Sequence, residues 1–379
     1  MESIRLLHLT VLLGILLIRL GTVPCLGQQS SKRLADIENL QIDSTDHRQI
    51  YYEQRLYRNP LKGMLKLNEL LTTSTDAEFI PLFQGVPMAR YRITPKVSTK
   101  LISRTERLEL QKTVPFNRAR YKLDFRIQPE FIANFGYREK PLQSKTNLLL
   151  QSQFYIRRGL VLNWGILFPL VNDLDAQELN IRPAPVFLNQ FMALDQRNYL
   201  SASVGLFYTD RYGLNVQYRH SDLTKPWSFG VETGLTGVYY FPKGGFTYSR
   251  PSELLLVADV AYRLPVHAIT LKVSGGQYLY QDRGVRVDFV RQFTNVEIGF
   301  YAMKTGNGST GGFNFAIPIP PGRIAQTQHV RLRSTEEFRW EYSYTRGYEI
   351  GLRYKVGYQL DALLRQYHQG YLSSQPIHN

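Results

Sequence analysis

Residues 121–128 read Tyr-Lys-Leu-Asp-Phe-Arg-Ile-Gln. In an extended chain Tyr121, Leu123, Phe125 and Ile127 fall on one face, with Lys122, Asp124, Arg126 and Gln128 on the other. A helix of period 3.6 would scatter the same residues around its circumference, so this pattern requires a strand with one apolar and one charged face. Residues 338–344 repeat it, setting Arg339, Glu341 and Ser343 against four aromatics. Residues 349–358 repeat it again, with Ile350, Leu352, Tyr354, Val356 and Tyr358 opposite Gly351, Arg353, Lys355 and Gly357. Weaker copies occupy 146–156, 159–170, 182–194, 198–209, 212–220, 227–241, 253–264, 267–280, 285–293, 295–304 and 311–320. The pattern predicts about 14 strands between residues 119 and 358, at a spacing that suits strands of about 9–11 residues joined by turns.

The separators support this. Arg157-Arg158-Gly159 and Asp210-Arg211-Tyr212-Gly213 each offer a glycine for a tight turn, and residues 292–295 read as a turn without one. Residues 171–182, 242–252 and 320–335 are long enough to be surface loops. Alternation alone also fits a soluble two-sheet sandwich. Three features favour a barrel in a membrane. Tyr239-Tyr240-Phe241, Tyr278 with Tyr280, and Phe300-Tyr301 place aromatics near strand ends, as interfacial girdles require. Charge persists through mid-strand on the opposite faces. So many consecutive strands also need edge protection, which closure supplies. The expected fold is all-β: a transmembrane antiparallel β-barrel of about 14 strands, a small N-terminal α/β periplasmic module and a short C-terminal helix.

Composition agrees once compartment is considered. The 379-residue chain has 46 Lys and Arg against 31 Asp and Glu, a formal charge of +15, 25 Tyr, 20 Phe and a single Cys. The charge alone suggests nucleic acid, but it is spread through alternating strands rather than gathered in one basic stripe. Residues 1–27 carry Arg5, an apolar run to Ile18 and small residues at the end, with Cys25 and Gly27 at the −3 and −1 positions of a cleavage site. Arg19 interrupts the run too early for a membrane anchor. Read as a signal peptide, this segment removes the only Cys and sends the chain to the bacterial outer membrane. Residues 28–118 are the periplasmic module, with a strand near 49–57, a helix opened by Asn59-Pro60 over 61–71, and short strands at 79–83 and 89–93. Residues 119–358 form the barrel. Residues 359–379 are a C-terminal helical tail, amphipathic over 361–372 and covering one mouth.

No catalytic, cofactor or metal constellation emerges. The seven His show no ligand spacing, and adjacent His220, Ser221 and Asp222 cannot converge on one face of a strand. What remains is the interior. With apolar faces turned to lipid, the inner wall carries Lys122, Asp124, Arg126, Gln128, Gln151, Gln153, Asn215, Gln217, Arg219, Lys272, Arg286, Asp288, Arg339, Glu341, Arg353 and Lys355. Positive charge dominates, which would attract an anionic glycan, with Tyr155 and Phe207 available to stack on sugar rings. The same charges also serve simply to solvate the interior and pair across strands.

Several stretches resemble the YjbH/GfcD-type outer-membrane proteins of exopolysaccharide and capsule systems. They are Val257-Ala-Asp-Val-Ala-Tyr-Arg-Leu-Pro265, Gly276-Gln-Tyr-Leu-Tyr-Gln-Asp-Arg-Gly-Val285, Val287-Asp288-Phe289, Ile298-Gly-Phe-Tyr-Ala302 and Gly312-Phe-Asn-Phe-Ala-Ile-Pro-Ile-Pro320. Gly159-Leu-Val-Leu-Asn-Trp164, Pro169-Leu-Val-Asn-Asp173, residues 227–237 and residues 49–58 fit as well, so the resemblance covers most of 45–345. It departs in length, since family members are often about twice as long, and in the Gly/Ser-rich segment 304–312 where acidic residues are usual. The resemblance implies a role in moving or assembling extracellular polysaccharide, with outer-membrane lipid, anionic polysaccharide and periplasmic or outer-membrane export proteins as partners. A scaffold subunit of a secretion complex and a general diffusion porin are the alternatives.

Overall fold

The computed structural model describes residue 34 and residues 36–42, 48–71, 77–93, 96–135, 142–265, 267–344, 349–357 and 359–376. Residues 1–27, expected as a signal peptide, and Tyr358 lie outside the described residues.

The front of the chain contributes β1 (Glu38–Ile42), β2 (Gln49–Glu53), α1 (Pro60–Leu71), β3 (Glu78–Phe83), β4 (Val86–Pro87), β5 (Ala89–Arg92), β6 (Ser98–Leu101) and α2 (Arg104–Thr113). Helix α1 starts where Asn59 Oδ1 accepts from the Leu61 amide at 3.0 Å, with Pro60 in the first turn. Its Leu61, Met64 and Leu67 are buried. Helix α2 opens on a capping box of Ser103 and Glu106. These strands form their own sheet, ordered β1-β2-β3-β5-β6 with β4 on β3, and β2 and β3 are parallel.

The remaining strands form one large sheet. They are β7 (Leu123–Phe135), β8 (Leu142–Arg157), β9 (Leu160–Asn172), β10 (Arg182–Pro183), β11 (Phe187–Ala193), β12 (Asn198–Phe207), β13 (Arg211–Ser221), β14 (Trp227–Tyr240) and β15 (Thr247–Tyr248). Then follow β16 (Glu253–Arg263), β17 (Ile269–Gln277), β18 (Arg283–Gln292), β19 (Glu297–Thr305), β20 (Gly308–Ile317), β21 (Arg323–Gln326), β22 (Val330–Ser334) and β23 (Phe338–Tyr344). From β8 to β20 neighbours follow chain order through antiparallel ladders, β20 then pairs with β23, and the order returns from β23 past β7 and β8 to β9. Between β23 and β7, Phe131 lies 6.3 Å from Trp340 and Phe135 lies 6.0 Å from Tyr342, ring centroid to ring centroid. Among the described residues no helix is long and apolar enough to cross a membrane.

This sheet is inverted relative to a water-soluble one. On β19, Glu297 is 1% exposed while Phe300, on the other face, is 58% exposed. On β13, Asn215 is 1% exposed and Leu214 is 49%. The same exchange recurs along β14 and β18, so the aliphatic and aromatic face points outward and the polar face inward, while β16 also turns Leu255 and Val257 inward.

One end of the sheet is closed by the front module. The Gly159 amide donates to Gln84 O at 2.7 Å, Arg107 Nη1 to Asp195 O at 2.8 Å and Asn59 Nδ2 to Thr294 O at 3.1 Å, so the β8–β9, β11–β12 and β18–β19 turns on this side dock on the module. The turn at 158–159 takes Gly159 with φ 72°. At the opposite end the turn between β12 and β13 differs from expectation: Thr209 (φ 61°) and Asp210 (φ 56°) supply the positive dihedrals, and Gly213 sits inside β13. Residues 320–335 are not a bare loop. They fold into β21 and β22, and β22 pairs in parallel with β7, opposing Arg331 to Asp124.

The largest correction concerns residues 349–358, expected as the last wall strand. Residues 349–357 form no strand; they run back through the interior toward the module. The amide of Gly351 donates to Asp282 at 2.7 Å, the Leu352 carbonyl accepts from Leu279 and the Lys355 carbonyl from Tyr208. Alternation is what any extended segment shows when one side meets an apolar surface, and here Tyr354 and Val356 pack inward among Phe187, Phe207 and Tyr278. The wall therefore has one long strand fewer than the pattern suggested. The tail continues as α3 (Leu360–Gln366) and α4 (Gln369–Leu372), two helices rather than one, broken where His368 caps the second. Leu360, Leu364, Tyr371 and Leu372 join the module's core beside Tyr52, Met64, Phe79 and Tyr91. The main apolar core thus sits where the module, the near mouth of the sheet and the C-terminal helices meet.

Candidate functional site

Inward positions of β13 to β19 and β23 converge with the returning segment and α3 around a cavity of about 330 Å³. Period-two alternation decides which side chains reach it: Arg219, Glu232, Asp259, Lys272, Arg286, Asp288, Glu297, Arg339 and Glu341 from the wall, and Arg353, Lys355, Asp361 and Arg365 from the tail. Arg219 meets Asp259 at 2.5 Å, and Lys272 meets Asp361 at 2.8 Å. Arg286 bridges Asp288 at 2.8 Å and Glu341 at 2.9 Å while lying 3.7 Å above the Tyr301 ring. Arg353 pairs with Glu232. Glu297 gathers Arg58 of the module at 3.0 Å, Arg339 of the wall at 2.9 Å and Arg365 of α3 at 3.0 Å.

This network corrects the expected basic wall. Arg219, Lys272, Arg286, Arg339 and Arg353 do line the cavity, but each is matched by a carboxylate. Glu232, Asp259 and Glu297 escaped the sequence reading although alternation with Val231, Val260 and Ile298 marks them as inward. Asp361 and Arg365 could not be read, because their place depends on the tail folding back. Arg126 lies outside the cavity, bonded to Gln151 at 2.9 Å and paired with Glu336 at 3.5 Å. Lys355 is exposed and, among the described residues, carries no acidic partner. Neither aromatic expected to stack on sugar is available. The Tyr155 ring stacks on Tyr121 at 4.1 Å with Arg55 at 5.1 Å, and Phe207 is buried between Phe187 and Tyr354.

A second cluster locks the module to the near mouth. Asp124 accepts from Arg331 at 2.5 Å and Arg333 at 2.7 Å, and Glu38 accepts from Arg331 at 3.0 Å and Arg55 at 2.6 Å. Burial opposes the charge on Glu38, yet Arg55 and Arg331 outweigh it and hold the carboxyl below its ordinary range. Glu53 receives four donors within 2.9 Å: the Gln84 and Gly85 amides and the Tyr121 and Tyr155 hydroxyls. There burial prevails and pushes the carboxyl up, against those donors and Arg55. Lys122, expected inside, instead donates to the Thr327 and Gln328 carbonyls at the surface.

His220, Ser221 and Asp222 do not converge. His220 Nδ1 faces Asn198 Oδ1 at 2.8 Å, while Asp222 caps Thr224 and pairs with Arg197. Among the described residues no group of three His, Cys, Asp or Glu could hold a metal ion. No curated protein and no solved structure matches the chain. Residues 177–320, from the loop before β10 to the end of β20, match the model of the YjbH family, described as "Exopolysaccharide biosynthesis protein YbjH". Over the stretch that carries β10 to β20, the chain is thus similar to the YjbH family, tied by its description to exopolysaccharide biosynthesis.

Proposed function

We propose that this chain is a non-enzymatic outer-membrane β-barrel that assists export or assembly of an extracellular polysaccharide. Residues 1–27 are its signal peptide, and the front module lies in the periplasm. The observation that carries the membrane reading is the inverted sheet. An outward face of Leu214, Leu235, Val287 and Phe300 is costly in water, at about 25 cal/mol for each Å² of apolar surface left exposed, and favourable in lipid. A strand order that returns to its start supports closure. The family match supports the link to polysaccharide.

The returning segment and α3 fill much of the interior, which favours a gated or scaffolding role over an open diffusion pore. The test is genetic. Deleting the gene should abolish or strongly reduce extracellular polysaccharide, and the intact chain should restore it. Unchanged output in the deletion strain would contradict the proposal.

A further inference from the structure

We infer that the interior cavity binds an uncharged, polyhydroxylated saccharide unit rather than an anionic one. The inference rests on the proposed role in polysaccharide handling and names the chemistry of the unit. Among the described residues seven basic and six acidic side chains line the cavity, and every basic one except exposed Lys355 already faces a carboxylate. An entering carboxylate or phosphate would have to displace one of these acids and leave it buried without its cation. A neutral hydroxylated ligand makes no such demand.

The unused valences point the same way. Asp288 Oδ2, Arg339 Nη2 and Arg365 Nε are buried, line the cavity and have no partner among the described residues, offering one acceptor and two donors. Sugar hydroxyls both donate and accept, so one ligand type satisfies all three. The lining rings are already engaged: Tyr301 lies beneath Arg286, Tyr354 stacks on Phe207 at 5.7 Å, Phe315 and Trp340 pack on each other at 5.8 Å, and Tyr218 is 38% exposed on the outward face. Recognition must therefore come from hydrogen bonds. The volume of about 330 Å³ falls at the small end of ligand pockets, which suits a unit of the chain rather than a folded glycan.

The experiment probes the purified full chain in detergent against an array of neutral hexose oligosaccharides and their hexuronate counterparts. Binding confined to neutral probes, at least tenfold over the matching uronates, is expected. Asp288→Asn should weaken that binding about tenfold in protein that still folds, as judged by its β-sheet circular dichroism. Equal or stronger uronate binding, or no binding to any probe, overturns the inference whatever the variant does. Uronate binding in a protein whose deletion abolishes polysaccharide would sink the inference and leave the proposed function standing. Unchanged polysaccharide on deletion would remove the function itself.

Discussion

Glu297 is the joint on which module, wall and tail all bear, so Glu297→Gln should loosen all three at once. The carboxylate accepts from Arg58, Arg339 and Arg365 at 2.9–3.0 Å and is 1% exposed. A hydrogen bond to a charged group contributes about 1.5–3 kcal/mol, so three lost together would total about 4.5–9 kcal/mol. The loss should be smaller. Arg58 and Arg339 keep Glu337, at 2.8 and 2.5 Å, and Arg365 keeps Asp361 at 2.9 Å. Glutamine also retains one acceptor oxygen. What remains is the cost of breaking a buried ion pair, about 3–5 kcal/mol. Urea unfolding of the purified protein in detergent, followed by tryptophan fluorescence, measures it. Protease susceptibility of the tail should rise in parallel. A change below about 1 kcal/mol would refute the assignment of Glu297 as a load shared by three elements.

Three further outcomes follow from the same contacts. Burial and nearby Arg263 lower the His368 imidazole from 6.5 to about 4, and it is held neutral with Nδ1 accepting from the Gly370 amide and Nε2 facing the Lys225 carbonyl. Its contribution is complete above pH 6.5 and is lost as pH falls toward 4, so His368→Gln should flatten the decline of the melting temperature across that window; an unchanged slope contradicts this. Arg331→Met strands Asp124 and Glu38 beside fewer cations, and should cost about 3 kcal/mol and expose the module to limited proteolysis; wild-type protease resistance would count against the lock. Removing residues 349–379 should raise single-channel conductance in planar bilayers, and an unaltered trace would mean that the segment does not obstruct the interior.

The wall was legible because alternation is a local property. Residues 121–128, 212–220 and 295–304 carry it, and β7, β13 and β19 occupy those stretches. Which residues point inward was legible for the same reason, as Arg219 and Asp288 show. What a pattern along one strand cannot supply is the partner on another. Arg286 and Glu341 lie far apart in the chain, and their pairing appears only when β18 and β23 face one cavity. Residues 349–357 misled because an extended plug packed on an apolar surface alternates just as a strand does. The tail's break at His368 depends on a carbonyl from Lys225 that no local motif announces.

The direction of the two faces is tested most directly by spin labels placed singly along β19 in protein reconstituted into lipid bilayers. Ile298, Phe300 and Ala302 point outward, while Gly299, Tyr301 and Met303 point inward. Collision rates with oxygen should be high and with a nickel chelate low at the first three, with the ratio reversing at every step along the strand. High nickel-chelate accessibility at Phe300 and its outward neighbours would place that face in water and contradict a membrane-embedded sheet.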